Sequence, residues 1–206
     1  MIALFFEVLP KPAHEATYFE MAAKLKPALD ASAGLDFLDR SRSTSRPGWF
    51  LSHQFWRDEA SMTRWRTNGA HHRAQACGRT DILADYRLRV AQVIVDHSVG
   101  MAPAAMPVPP YATYNAPGPV ADRYVLSILS AGPLVGLDGE VFASVYDPAL
   151  TVTVVTVLNG GHGHAILMQA ASHSATRAAR LCLISRDYGM FDRAEAPQYF
   201  EPVTLA

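Results

Sequence analysis

The sequence predicts an α+β fold, with residues 1–100 ordered β-α-β-β-α-β around an antiparallel four-stranded sheet. Three observations carry that reading. Residues 2–9, 49–56 and 83–96 hold strand-like runs, the last alternating clearly between two faces. Tyr18, Phe19, Ala22, Leu25 and Leu29 recur at helical spacing. A proline-dense stretch over 101–120 then ends the pattern.

Each element has a local cause. The first strand spans residues 2–9, and the first helix residues 12–32, with Pro27 expected to kink or loosen its last turn. Gly34 closes that segment as a helix-terminating glycine. Residues 35–43 form a second strand, Arg46-Pro47-Gly48 a turn, and residues 49–56 a third strand. In that third strand Trp49, Leu51, His53 and Phe55 share one face, and Phe50, Ser52, Gln54 and Trp56 the other. Asp58 caps a second helix, with Glu59 in its first turn, running to near Gly78. In the last strand Tyr86, Leu88, Val90, Gln92 and Ile94 oppose Arg87, Arg89, Ala91, Val93 and Val95. This order places both helices on one face of the sheet. The other face is apolar and must be covered by a second copy, a second domain or a ligand.

Residues 101–120 read as a semi-extended linker between two units, 1–100 and 121–206, of ordinary domain size, with a long irregular loop packed on a single domain as the alternative. Beyond it, Tyr124–Ala131 and Leu150–Leu158 read as strands, and Gly132–Pro148 has room for a shortened helix. Asn159-Gly160-Gly161 reads as a hairpin turn into a strand over His164–Ala171. A short helix over Ser172–Arg180 and a strand over Leu181–Phe191 complete a second, divergent copy of the same order.

A net charge of −1 provides no field to attract nucleic acid or an anionic membrane. Cys77 and Cys182 lie far apart with no CxxC spacing, as expected of free thiols in a cytoplasmic protein. The apolar start has no basic leader and is broken by Glu7 and Pro10, so it reads as a strand and not as a signal peptide. Apolar runs fall short of the ~18 residues a membrane span needs.

The combination Phe55-Trp56-Arg57-Asp58-Glu59-Ala60, Trp65-Arg66, His71-His72-Arg73 and Ala84-Asp85-Tyr86-Arg87 resembles the antibiotic biosynthesis monooxygenase family over residues 1 to about 96. The resemblance implies a ferredoxin-like unit paired into a dimeric α+β barrel, with two sheets face to face. It also implies one of several activities: cofactor-free oxygenation of polyphenolic polyketides, quinol oxygenation, or haem degradation. In this chain the second unit would replace the dimer partner, giving an intramolecular pseudo-dimer; a homodimer is the alternative.

The chemistry-bearing candidates each have a plain structural reading beside the functional one. Trp56 and Trp65 can wall a pocket for a flat aromatic substrate, or simply pack in a core. His71 and His72 diverge by roughly 100° on a helix, and His72, seven residues after Trp65, shares its face; it is the candidate base or haem ligand. Glu7 is a second candidate base if burial raises its pKa. Where haem-degrading relatives carry an asparagine and a histidine, Glu7 and Gln75 stand here, which argues against haem degradation. His53, Phe55 and Arg87 are candidate substrate contacts, with His53 or Arg87 stabilising developing negative charge. His53 and Gln54 point to opposite faces, and whichever faces the pocket can hydrogen-bond a substrate carbonyl. His162-Gly163-His164 has metal-binding spacing if extended, with His173 as a third ligand, but a glycine-rich turn explains it better.

The expected function is a cofactor-independent monooxygenase acting on an aromatic, polyketide or quinol-like small molecule, needing no metal. A haem-binding or haem-degrading protein is the second expectation. A non-catalytic binding or assembly module, its sheets packed together without a cavity, is the third.

Overall fold

The computed structural model describes residues 1–107 and 123–197. In the first half β1 (Ile2–Pro10), α1 (Glu15–Asp30), β2 (Leu35–Ser43) and β3 (Phe50–Trp56) fall where the pattern predicts them. Pro27 lies within α1, which continues to Asp30. Gly34 adopts a positive φ of 91°, and a Cβ there would collide with the Ser61 side chain, so the chain reverses at that point only with glycine.

The expected single second helix is two. Asp58 caps α2 (Glu59–Arg66) by accepting from the Ser61 amide at 2.7 Å. The Asn68 side chain then accepts from the Ala70 and His71 amides and starts α3 (Gly69–Cys77). An internal asparagine thus supplies a second N-cap and re-aims the chain by a corner. A π-type turn over Gly78–Ile82 leads into β4 (Leu83–Ser98).

The start of the expected linker adds a short strand, β5 (Ala104–Ala105), to β4. Its residues 108–120 lie outside the described residues. β6 (Tyr124–Ser130) and β8 (Thr151–Val157) follow their β-branched runs. Three expectations between and after them are corrected. Residues 132–148 contain a strand, β7 (Glu140–Ser144), and not a shortened helix. Residues 160–171 form a helix, α4 (Gly160–Ala171), and not the second arm of a hairpin. Asn159 accepts from the His162 amide at 3.0 Å, so it caps a helix where a hairpin turn was expected. Buried Gly163, Leu167 and Ala170 fall on one helical face. Gly163 is where α4 meets the sheet, since a Cβ there would stand 2.7 Å from Leu181 Cδ1. The third correction is that residues 176–189 already form β9 (Thr176–Gly189), leaving only a turn where a short helix was expected.

All strands join one antiparallel sheet in the order β1-β3-β2-β7-β8-β6-β9-β4-β5. Because β4 pairs with both β9 and β1, the sheet closes into a barrel. Closure covers the apolar face that the first half leaves open. Ala3, Phe5, Leu51, Phe55 and Val93 pack inside against Val125, Phe142, Val152, Cys182 and Ile184. Every residue of β3 is buried, since its other face meets α1–α3. Within each half the strands run in the spatial order fourth-first-third-second, and the halves join through β2–β7 and β4–β9.

Candidate active site

A cavity of about 180 Å³ lies between the first half's sheet and its helices. That is several times a water molecule's share of liquid volume, roughly 30 Å³. Strand pairing lays its floor in rows. One row runs Arg40, Ser52, Phe6, Leu88, Tyr188 across β2, β3, β1, β4 and β9. The next runs Gln54, Leu4, Val90, Arg186 across β3, β1, β4 and β9. Tyr18, Met21, Ala22, Leu25 and Leu29 of α1, Met62 and Trp65 of α2, and His71, Ala74 and Gln75 of α3 form the roof. Arg193 and Pro197, beyond β9, complete the wall.

The lining is mainly apolar but also carries Arg40, Arg66, Arg79, Arg186 and Arg193 and several neutral polar groups. His71 stacks on Trp65 with ring centroids 4.4 Å apart and planes 15° apart. Its Nδ1 lies 3.1 Å from the Trp65 carbonyl oxygen. A carbonyl only accepts, so Nδ1 carries the proton and Nε2 the lone pair. Burial lowers the His71 pKa to about 4, outweighing the carbonyl contact. The ring is therefore a neutral acceptor at physiological pH. Tyr86 Oη accepts from Arg79 and, at 2.6 Å, from Arg193. Arg186, from the second half, donates to Glu59 at the start of α2 at 2.8 Å. Ser52 and Gln54 form a short polar track, with the Trp56 indole N–H donating to Gln54 at 2.9 Å.

The expected site residues divide sharply by strand face. Trp65 lines the cavity. Trp56 is fully buried in the same apolar cluster but outside the cavity wall. His72 is exposed on α3, and His71 takes the cavity position. The break at Asn68 changes the helix phase, so counting seven residues from Trp65 selects the wrong neighbour. Glu7, His53 and Phe55 point into the barrel, away from the cavity. Glu7 is held by Arg46 and Arg89. His53 Nδ1 donates to the Leu4 carbonyl at 3.0 Å, and Nε2 accepts from Ser127 at 2.7 Å. Phe55 belongs to the barrel core. Arg87 is exposed, in a two-point pair with Asp187. Arg40, Arg79, Arg186, Arg193, Tyr18 and Tyr188 were not among the expected residues. The alternation of β2 and β4 could have marked Arg40 and Tyr86, but the second-half residues required the register between halves.

His72 stands outside the cavity, so the residue expected to ligate a haem does not fit one there. Among the described residues, no group of three or more His, Cys, Asp or Glu side chains could hold a metal ion. His162 and His164 sit in α4, where their spacing turns them roughly 200° apart. No described helix is long and apolar enough to cross a membrane.

The antibiotic biosynthesis monooxygenase family model matches residues 1–76. A jasmonate monooxygenase of Pyricularia oryzae is 31% identical over 224 aligned positions, covering 99% of this chain and 100% of that protein. The chain belongs to the antibiotic biosynthesis monooxygenase family. The expectation of a monooxygenase of this type is borne out by that relationship. Among solved structures, an aldoxime dehydratase aligns at TM-score 0.52 and 9% identity, covering 89% of this chain and 81% of its own, a likeness of fold alone. An anthrone oxidase-like protein aligns over 95% of this chain and 96% of its own at 10% identity and TM-score 0.42.

Proposed function

We propose that this family member oxygenates a small, largely apolar molecule in the helix-side cavity, with Trp65 and His71 at its reacting end. The observation that carries the reading is a neutral histidine stacked on tryptophan in an apolar lining. Its Nε2 lone pair can take a proton from an acidic C–H or O–H of the substrate. The resulting enolate or phenolate is electron-rich enough to pass an electron to oxygen itself. Recombination forms a hydroperoxide at carbon, which loses one oxygen as water and keeps the other as a new carbonyl, the substrate supplying all four electrons. The protein then has to orient the substrate, exclude water and stabilise the developing oxyanion. The Tyr86 hydroxyl, polarised by two guanidinium donors, is suited to that last role. By likeness to the fungal relative, jasmonate is the first substrate to try.

The second half takes the place of a partner subunit in this reading. Two facts support it: the shared fourth-first-third-second strand order, and the entry of Arg186 and Tyr188 into the first half's cavity wall. The test is oxygen uptake with jasmonate and a panel of enolisable ketones and phenols under ¹⁸O₂. One labelled atom in the product is expected. A product with no label, or no uptake across the panel, would overturn the proposal.

A further inference from the structure

We infer that Arg40 is a binding residue for an anionic group of the substrate, a carboxylate, at the β2 end of the cavity. This rests on the reading of that cavity as the substrate site and adds the substrate's charge class to it.

Arg89, 3% exposed, holds Glu7, and Arg186, 2% exposed, holds Glu59. Both of these buried cations are matched by a carboxylate, which offsets the cost of desolvating the charge, whereas buried Arg79 and Arg193 donate to the Tyr86 hydroxyl. Arg40 is 6% exposed and lines the cavity, yet no carboxylate among the described residues pairs with it. Its hydrogen-bond partner is a phenol. Nη1 donates to Tyr146 at 2.8 Å, and buried Tyr18 shares the cavity wall with the guanidinium. Its Nε is buried and makes no hydrogen bond, as is also true of Arg89 and Arg186. The neighbouring Asp39 is turned to the other face, where Ser41 and Ser144 occupy it.

A guanidinium that lines a largely apolar cavity and has no carboxylate partner is complementary to a planar carboxylate. Tyr18 stays protonated because burial raises its pKa, so it adds a second donor to the same anion. Arg40 and Arg186 stand on β2 and β9, four strand spacings or roughly 19 Å apart along the sheet. An acid held at Arg40 would therefore lay its apolar body across Phe6 and Leu4 toward the opposite edge of the cavity.

The test is calorimetric titration of the full chain with jasmonate and with methyl jasmonate, which share a skeleton and differ in charge. The wild type is expected to bind the acid roughly tenfold or more tightly than the ester, the worth of one charge-assisted contact. Arg40→Gln should erase that preference, bringing the acid down to the ester's affinity for the same variant, and Arg40→Lys should keep part of it. The wild-type comparison needs no variant, so a folding defect in Arg40→Gln does not remove the test. Equal binding of acid and ester, or an acid preference that survives in folded Arg40→Gln, overturns this inference and leaves the cavity reading standing. Binding of neither probe overturns jasmonate as the substrate and this inference with it.

Discussion

His71 lies face to face on Trp65, with its Nδ1 on the carbonyl oxygen of the same tryptophan. One residue thus fixes both the plane and the tautomer of the other, and Nε2 is left as the acceptor. His71→Phe keeps the stacked ring and removes the acceptor. We expect kcat to fall about 10²- to 10⁴-fold with KM little changed, the usual worth of a general base. Because burial holds this histidine down to about 4, its protonation should cut kcat only toward pH 4, and the rate should stay flat between pH 5 and 8 on its account. A wild-type kcat in His71→Phe, measured by steady-state oxygen uptake, would remove this histidine from the mechanism.

Glu7 has a structural role that can be separated from catalysis. It bridges Arg46 and Arg89 inside the barrel, and Arg89 reaches on to Thr156 at 2.8 Å. Glu7→Gln leaves Arg89 buried without its counter-charge, and the expected loss is about 3–5 kcal/mol. The midpoint of urea unfolding should drop accordingly. The double variant Glu7→Gln with Arg89→Met should recover much of that loss. At a temperature where Glu7→Gln remains folded, its kcat should match the wild type, since Glu7 does not line the cavity.

The first half was legible in the sequence because its apolar positions keep one period at a time. Tyr18, Ala22 and Leu29 lie at helical spacing and are buried, and the β3 faces separate as their alternation requires. The site was legible only in part. Trp65 was identifiable from the family resemblance, but a single capping residue, Asn68, shifted the phase that decides between His71 and His72. In β3 and β4 both faces are buried, so alternation could not say which face bears the cavity and which the barrel core. In the second half, Asn159 followed by glycines satisfies either a hairpin turn or a helix N-cap. The burial of Leu167 and Ala170 against Leu181, a tertiary fact, decides for the helix.

The two thiols should differ sharply in reactivity. Cys77 is exposed at the end of α3, whereas Cys182 is buried in the barrel core, and burial pushes its thiol up to about 12. The thiolate is the reactive form, so Cys182 should be inert in the folded protein. Titration with a chromogenic disulfide should count one fast thiol in buffer and two in denaturant. Loss of the fast phase in Cys77→Ser would assign it. Rapid modification of Cys182 in the native protein would contradict the closed, packed barrel.

His53 should make the fold sensitive to acid. Its ring is fully buried between the Leu4 carbonyl and Ser127, and burial lowers its pKa to about 3 despite the carbonyl bond. Unfolded histidine titrates near 6.5, so between about pH 6.5 and 3 the unfolded chain holds a proton that the folded one refuses. Stability contributed by this neutral ring is therefore complete above pH 6.5 and declines as pH falls through that window. From pH 7 to 5 the expected loss from this one group is about 2 kcal/mol. His53→Gln keeps a polar side chain that can bond Leu4 or Ser127 and removes the titration. The variant should be less stable than wild type at pH 7, yet lose less stability on going to pH 5. Urea unfolding of both proteins at the two pH values measures the difference. Equal losses would mean that His53 is protonated in the fold, and that the barrel interior at Ser127 is wet.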